Sequence, residues 1–162
     1  MAYLTMNDGI KIYYEDNGKK GQTILIAHGL NSSTVKIKNF IDEFRKEGEE
    51  YRVVCYDQRG HEKSDRSTIH LNVKRLGQDM NEVITALNLN DIIVIGHSMG
   101  AASIFSYVNQ FGCDKLKQIV SVDMTPYMRN TVWQGGIGQG KWTDEDFLSD
   151  LDRAFDDVGE CI

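Results

Sequence analysis

Gly96-His97-Ser98-Met99-Gly100 carries the clearest chemical spacing in this chain. A serine with a glycine two residues away on each side can sit at the tip of a sharp turn, because larger neighbours would collide there. The apolar residues 92–95 before it read as a strand, and Ala101-Ala102 after it open a helix. On such a corner the hydroxyl is exposed, and the helix N-terminus aims amide donors and a positive dipole at the reacting oxygen. The chemistry this suits is attack of a serine oxygen on a carbonyl. A second segment, His28-Gly29-Leu30, follows the apolar run 23–27 directly. It can present a backbone N–H to a developing oxyanion, so the amides of Leu30 and Met99 would be the two donors. His28 then orients this loop and is not the base. A third segment, Asp57-Gln58-Arg59-Gly60-His61-Glu62-Lys63-Ser64, also follows a strand. Its polar side chains suit the bracing of a loop through hydrogen bonds to backbone.

The rest of the chain must hold these segments together. Residues 2–6 and 10–16 flank Asn7-Asp8-Gly9, which predicts a β-hairpin. The run 23–27 is apolar throughout, as a strand buried on both faces would be. Val35, Ile37, Phe40, Ile41 and Phe44 recur at mostly helical spacing, and residues 51–56 read as another strand. Val73, Leu76, Met80, Val83, Ile84 and Leu87 keep the rhythm of an amphipathic helix. Residues 91–95 predict a strand, 101–111 a helix and 117–123 a further strand. This alternation predicts an α/β fold with a mostly parallel twisted sheet, helices on both faces and an antiparallel hairpin at one edge.

Composition excludes several functions. Eighteen Lys and Arg against 24 Asp and Glu leave a formal net charge of −6. That balance argues against nucleic acid and against an anionic membrane surface as partner. The longest apolar runs, 24–27 and 92–95, are strand-sized, so no membrane span is expected. The N-terminus lacks a basic region followed by an apolar stretch. Cys55, Cys113 and Cys161 have no ligand spacing, so no metal is expected and a reduced, cytoplasmic chain is. Gly135-Gly136-Ile137-Gly138-Gln139-Gly140-Lys141 imitates a phosphate-binding loop, but Trp142 stands where Ser or Thr would hold Mg²⁺ and no strand leads in. A hinge is the better reading of that run. Beyond it, Thr143 and Asp146 read as a helix start, with Phe147, Leu148, Leu151, Ala154, Phe155 and Val158 on one face.

In this order the three segments resemble the α/β-hydrolase family, and its lipase, esterase and thioesterase-like members in particular. The resemblance runs from the N-terminal hairpin to the strand ending at Asp123. It implies that Ser98 is the nucleophile and that the Leu30 and Met99 amides form the oxyanion hole. It also implies a small-molecule ester or thioester as substrate, an acyl-serine intermediate and no cofactor. Residues 1–126 would be the N-terminal part of the hydrolase core and 127–162 the start of a helical cap or lid. The segment Asp57–Ser64 resembles the family's Asp-x-Arg-Gly-x-Gly-x-Ser loop, except that Glu62 stands where glycine is usual. A cofactor-free perhydrolase would share the same serine and oxyanion groups. A binding protein that kept the fold without its catalysis is the alternative of a different class.

The family order of Ser, acid and His is not completed. His28, His61, His70 and His97 all precede Ser98. The ring of His97 is expected to point away from Ser98 into the packing beside the turn. Asp123 is either a strand-end acceptor for turn amides or the acid of a triad. The family sheet continues for two strands past this point, so the chain is expected to be C-terminally incomplete and close to inactive alone. Its last strand, with the β-branched run Ile119-Val120-Ser121-Val122, would then be an open edge. A missing C-terminal segment or a second copy is the expected partner for that edge.

Overall fold

The computed structural model describes residues 2–46, 50–66 and 71–126. One compact unit spans Met1–Met124. The expected cap over 127–162, its glycine-rich hinge and His70 lie outside the described residues.

Six strands form one sheet in the order β1-β2-β4-β3-β5-β6. In chain order the elements are β1 (Ala2–Thr5), β2 (Lys11–Asp16), β3 (Gln22–Ala27), α1 (Lys38–Glu43), β4 (Tyr51–Tyr56), α2 (Val73–Ala86), β5 (Ile92–His97), α3 (Met99–Phe111) and β6 (Leu116–Val122). β1, β2 and β4 pair antiparallel, whereas β4, β3, β5 and β6 run parallel. The hairpin closes where expected: Gly9 takes φ +86°, and its amide donates to Met6 O at 2.9 Å. This is the left-handed region that glycine enters without steric cost.

The central strand β3 is buried on both faces, as its apolar run predicts. Leu25 and Ala27 face Met80, Val83 and Ile84 of α2 and Ile104 and Tyr107 of α3. Ile24 and Ile26 face the other way, with Val53, Cys55, Ile95 and Ile41 of α1. Each fully buried Leu or Ile contributes about 1.5–3 kcal/mol of transfer free energy, so these two layers dominate the stabilisation of the sheet. Helices α2 and α3 touch closely at Gly77, where an added Cβ would lie 2.7 Å from Ser106 Oγ and 2.8 Å from Tyr107 N. Asn72 caps α2 by accepting from Arg75 N at 2.9 Å.

The first helix is shorter than its spacing predicts. Apolar residues recur from Val35, but regular helix runs only over Lys38–Glu43. Before it the chain makes tight turns, with Ile37 N donating to Ser33 O and Lys38 N to Val35 O. No side chain caps the helix start at Ile37, and only Ile41 within it is buried. At the far edge β6 pairs with β5 alone among the described residues. Ile119 and Val122, on opposite faces of β6, are both exposed there.

Candidate active site

Register brings the three chemical segments to one end of the sheet. Ala27 lies opposite both Tyr56 of β4 and Gly96 of β5, and Gly96 lies opposite Ser121 of β6. The strands therefore end flush. The residues that follow them, Asp57-Gln58, His28-Gly29-Leu30, Ser98-Met99 and Asp123, emerge side by side.

Ser98 stands between β5 and α3 with φ +49° and ψ −116°. This conformation costs a non-glycine residue about 1–3 kcal/mol. The surroundings enforce it: Ser98 N donates to Val122 O at 2.9 Å, and Ser98 O accepts from Ala101 N at 2.9 Å. The two flanking glycines have distinct steric causes. A Cβ on Gly96 would lie 2.6 Å from Ala101 N, and one on Gly100 would lie 2.1 Å from Ala27 O. α3 thus starts against the end of β3, closer than any side chain permits. No side chain among the described residues hydrogen-bonds to the Ser98 hydroxyl.

The turn after β3 is held from within and from outside. His28 is fully buried. Its Nδ1 lies 2.7 Å from Gly29 O, while its Nε2 accepts from Gln58 N at 3.0 Å. The backbone donor fixes the tautomer: Nε2 must be bare and Nδ1 must carry the proton. Burial pushes the imidazole below the usual histidine range, and the neighbouring His61 ring adds to this. His28 is therefore a neutral brace with both nitrogens engaged, and not a base. Farther along, Thr34 N donates to Asp57 Oδ1 at 2.7 Å. Leu30, between these two anchors, is 60% exposed. No acceptor among the described residues takes the Leu30 or the Met99 amide.

The Asp57–Ser64 segment acts as the brace its composition suggests. Asp57 Oδ2 accepts from Lys63 N at 3.2 Å, and Ser64 Oγ donates to Asp57 O at 2.5 Å. Tyr13 N donates to Ser64 Oγ at 2.9 Å, which anchors the loop to β2. Arg59 is fully buried and grips Asp79 of α2 through Nε at 2.6 Å and Nη2 at 2.7 Å. Asp8 from the hairpin turn reaches the same guanidinium at 2.9 Å. Arg75 completes the network through Asp79 Oδ1 and Glu82 Oε1, both at 2.8 Å. Sequence reasoning did not single out Asp79. The signal was a carboxylate on the inward face of an amphipathic helix, where an apolar residue is expected. Glu62 takes φ +41°, which accounts for the glycine usual at its place.

His97 is corrected in part. It packs over Gly29, where a Cβ would come within 2.7 Å of His97 Nδ1. It is not enclosed, however: its side chain is 51% exposed, and its Nε2 lies 3.9 Å from Asp123 Oδ2. The covering expected on this side is absent among the described residues because β6 is an edge. An apolar pocket of about 200 Å³ opens next to His97, lined by Ile26, Ile37, Phe40, Ile95 and Val122. Asp123 itself is mostly exposed, with φ +56°. Among the described residues no group of three or more His, Cys, Asp or Glu side chains is gathered as a metal ion would need.

A sequence profile for the alpha/beta hydrolase fold matches residues 22–156, most of the chain. The chain belongs to the α/β-hydrolase family. This α/β hydrolase is similar to a non-heme chloroperoxidase of Kitasatospora aureofaciens, with 29% identity over 130 residues, 78% of this chain and 45% of the relative. It is similar in the same degree to a bifunctional esterase/perhydrolase of Acinetobacter calcoaceticus, at 29% identity over 127 residues, 78% of this chain and 45% of that one. The chain thus spans about half the length of the curated relatives it matches. Among solved structures, an esterase from Exiguobacterium antarcticum superposes with a TM-score of 0.76 at 23% identity, covering 99% of this chain and 57% of the other. At that identity the likeness concerns the fold of the α/β hydrolase.

Proposed function

We propose that the protein of which this chain carries the nucleophile is a serine hydrolase that cleaves a carboxylic ester or thioester. Ser98 Oγ attacks the acyl carbon, the carbonyl oxygen becomes an oxyanion between the Leu30 and Met99 amides, and collapse expels the alcohol or thiol. Water then attacks the acyl-serine, releases the acid and restores Ser98. The observation that carries the reading is the strained Ser98 backbone at the strand–helix corner, φ +49° and ψ −116°, beside two amides that have no acceptor among the described residues. The proton of Ser98 needs a base in this scheme. His28 is excluded by its own hydrogen bonds, and no other described imidazole bonds to Ser98. The base is therefore assigned to a histidine outside the described residues. By the family resemblance residues 127–162 are read as the start of a helical cap or lid.

The names of the relatives favour a second reading. One is a bifunctional esterase/perhydrolase and another a non-heme chloroperoxidase. Hydrogen peroxide in place of water would attack the same acyl-Ser98, giving a peracid and free serine without a cofactor. Labelling with a fluorophosphonate, read by peptide mass spectrometry on the longest natural form of the protein, tests the nucleophile. Modification is expected at Ser98 and its loss in Ser98→Ala; undiminished labelling in that variant would overturn the assignment. Partition of an acyl donor between acid and peracid as peroxide is titrated distinguishes the two deacylation routes.

A further inference from the structure

We propose that Gln58 sets the separation of the Leu30 and Met99 amides by tying the turn after β3 to the first turn of α3. The inference rests on the serine-hydrolase reading for its importance, though not for its geometry. Gln58 is 1% exposed, and the groups it touches, His28 and Ser103, are fully buried. Its Nε2 donates to His28 O at 2.5 Å, and its Oε1 accepts from Ser103 Oγ at 2.6 Å. The amide cannot be reversed: a carbonyl on the His28 side would face another carbonyl with no proton between them. Ser103 sits one helical turn below Met99, and its Oγ also lies 2.9 Å from Met99 O. The backbone of Gln58 adds a third tie through its N–H to His28 Nε2.

This side chain therefore spans the gap between the two donor-bearing segments and touches neither Ser98 nor the space in front of it. Gln58 is a positioning residue. A buried amide costs free energy unless both of its ends are bonded, and here each end is bonded to a different arm of the site. Leucine would fill the same volume, but it would leave His28 O buried without a donor. Two donors serve one oxyanion only if both lie about 2.7–3.1 Å from it, so drift of about 0.5 Å between them matters.

The test uses the ¹⁵N-labelled 162-residue chain and follows the amide signals and hydrogen exchange of Leu30 and Met99. Gln58→Glu, at a pH high enough to ionise its buried carboxyl, keeps an acceptor for Ser103 but loses the donor to His28 O. Leu30 is expected to shift and to exchange about tenfold faster or more, with Met99 less affected. Ser103→Ala cuts the other tie and is expected to move Met99 chiefly and Leu30 by transmission. Acidification protonates the new carboxyl of Gln58→Glu, which restores a donor and returns Leu30 toward its wild-type position. Wild type measured at each pH removes the contribution of His28. A folded Gln58→Glu or Ser103→Ala chain whose Leu30 and Met99 amides stay at their wild-type positions overturns the proposal. So does a Leu30 shift in Gln58→Glu that acid does not reverse. If Gln58→Glu does not fold, Ser103→Ala, which removes one hydroxyl, decides alone. The amides report the brace whether or not Ser98 reacts, so an unlabelled Ser98 would reject the hydrolase reading and leave this result standing.

Discussion

Gly100→Ala separates steric necessity from helix propensity, because the two act in opposite directions. Gly100 lies in the first turn of α3, and in an ordinary helix alanine is about 1 kcal/mol better than glycine. Here the new Cβ would lie 2.1 Å from Ala27 O, 2.6 Å from Ala27 C and 2.8 Å from His28 O. All three atoms are backbone at the end of a central strand and cannot rotate away. The helix start must retreat by about 1 Å, against the bonds that hold Ser98 to Val122 and Gln58 to Ser103. Overpacking of this kind costs about 1–3 kcal/mol, and more where backbone meets backbone. With a Cβ 2.1 Å from a strand carbonyl the clash lies above that range, at about 3–4 kcal/mol, so after the propensity gain a net loss of about 2–3 kcal/mol is expected. Urea unfolding of the chain should show it as a midpoint lowered by about 1 M at unchanged slope. The melting temperature should fall by about 4–12 °C. A midpoint equal to or above that of wild type would refute the reasoning, since helix propensity would then have outweighed the clash.

Glu62→Gly should stabilise the chain by up to about 1 kcal/mol, because it removes a left-handed residue at φ +41°; calorimetry checks the sign. Asp79→Ala leaves the buried Arg59 with Asp8 alone and deprives Arg75 of a partner, so a loss of about 3 kcal/mol is expected in urea unfolding. His28 should be neutral with its proton on Nδ1 at neutral pH and take up a proton at lower pH than an ordinary histidine, which imidazole ¹⁵N shifts report. Its folded pKa is depressed, so the unfolded chain takes up the proton first as pH falls. This contribution is complete above the ordinary histidine value of about 6.5 and is lost as pH drops from there toward the folded value. A midpoint that rises over that interval would contradict it.

Sequence made the elements and the corner legible for a common reason: both are local. The alternation of apolar runs fixes β3, β4 and β5, and Gly96 and Gly100 signal a clash within one turn of Ser98. The two-sided burial of β3 was readable because its run has no polar interruption. What could not be read depends on register. Only when Ala27 is known to face Tyr56 and Gly96 does Gln58 come between His28 and Ser103, residues 30 and 45 positions away. Asp79 was hidden likewise, since its partner Arg59 arrives from a loop 20 residues earlier. α1 was overestimated because helical spacing from Val35 coexists with turns closed by Ser33. His97 is expected to pack beside the turn, whereas its ring is half-exposed, a difference that depends on the neighbours of β5 and not on local spacing.

The close approach of α2 and α3 at Gly77 closes a mechanical circuit. The loop after β4 grips α2 through Arg59 and Asp79, α2 is pressed against α3 at Ser106 and Tyr107, and α3 returns to the same loop through Ser103 and Gln58. A ring of three rigid members joined at three points has no free hinge, so the serine and the Met99 amide move as one body with the helix pair. Compliance is left to the arc between His28 and Thr34, pinned at its ends and bearing the exposed Leu30 at its crest. On the serine-hydrolase reading proposed above, adjustment to acyl groups of different size would fall on one side of the reacting carbonyl, with Met99 as the stationary jaw and Leu30 as the moving one.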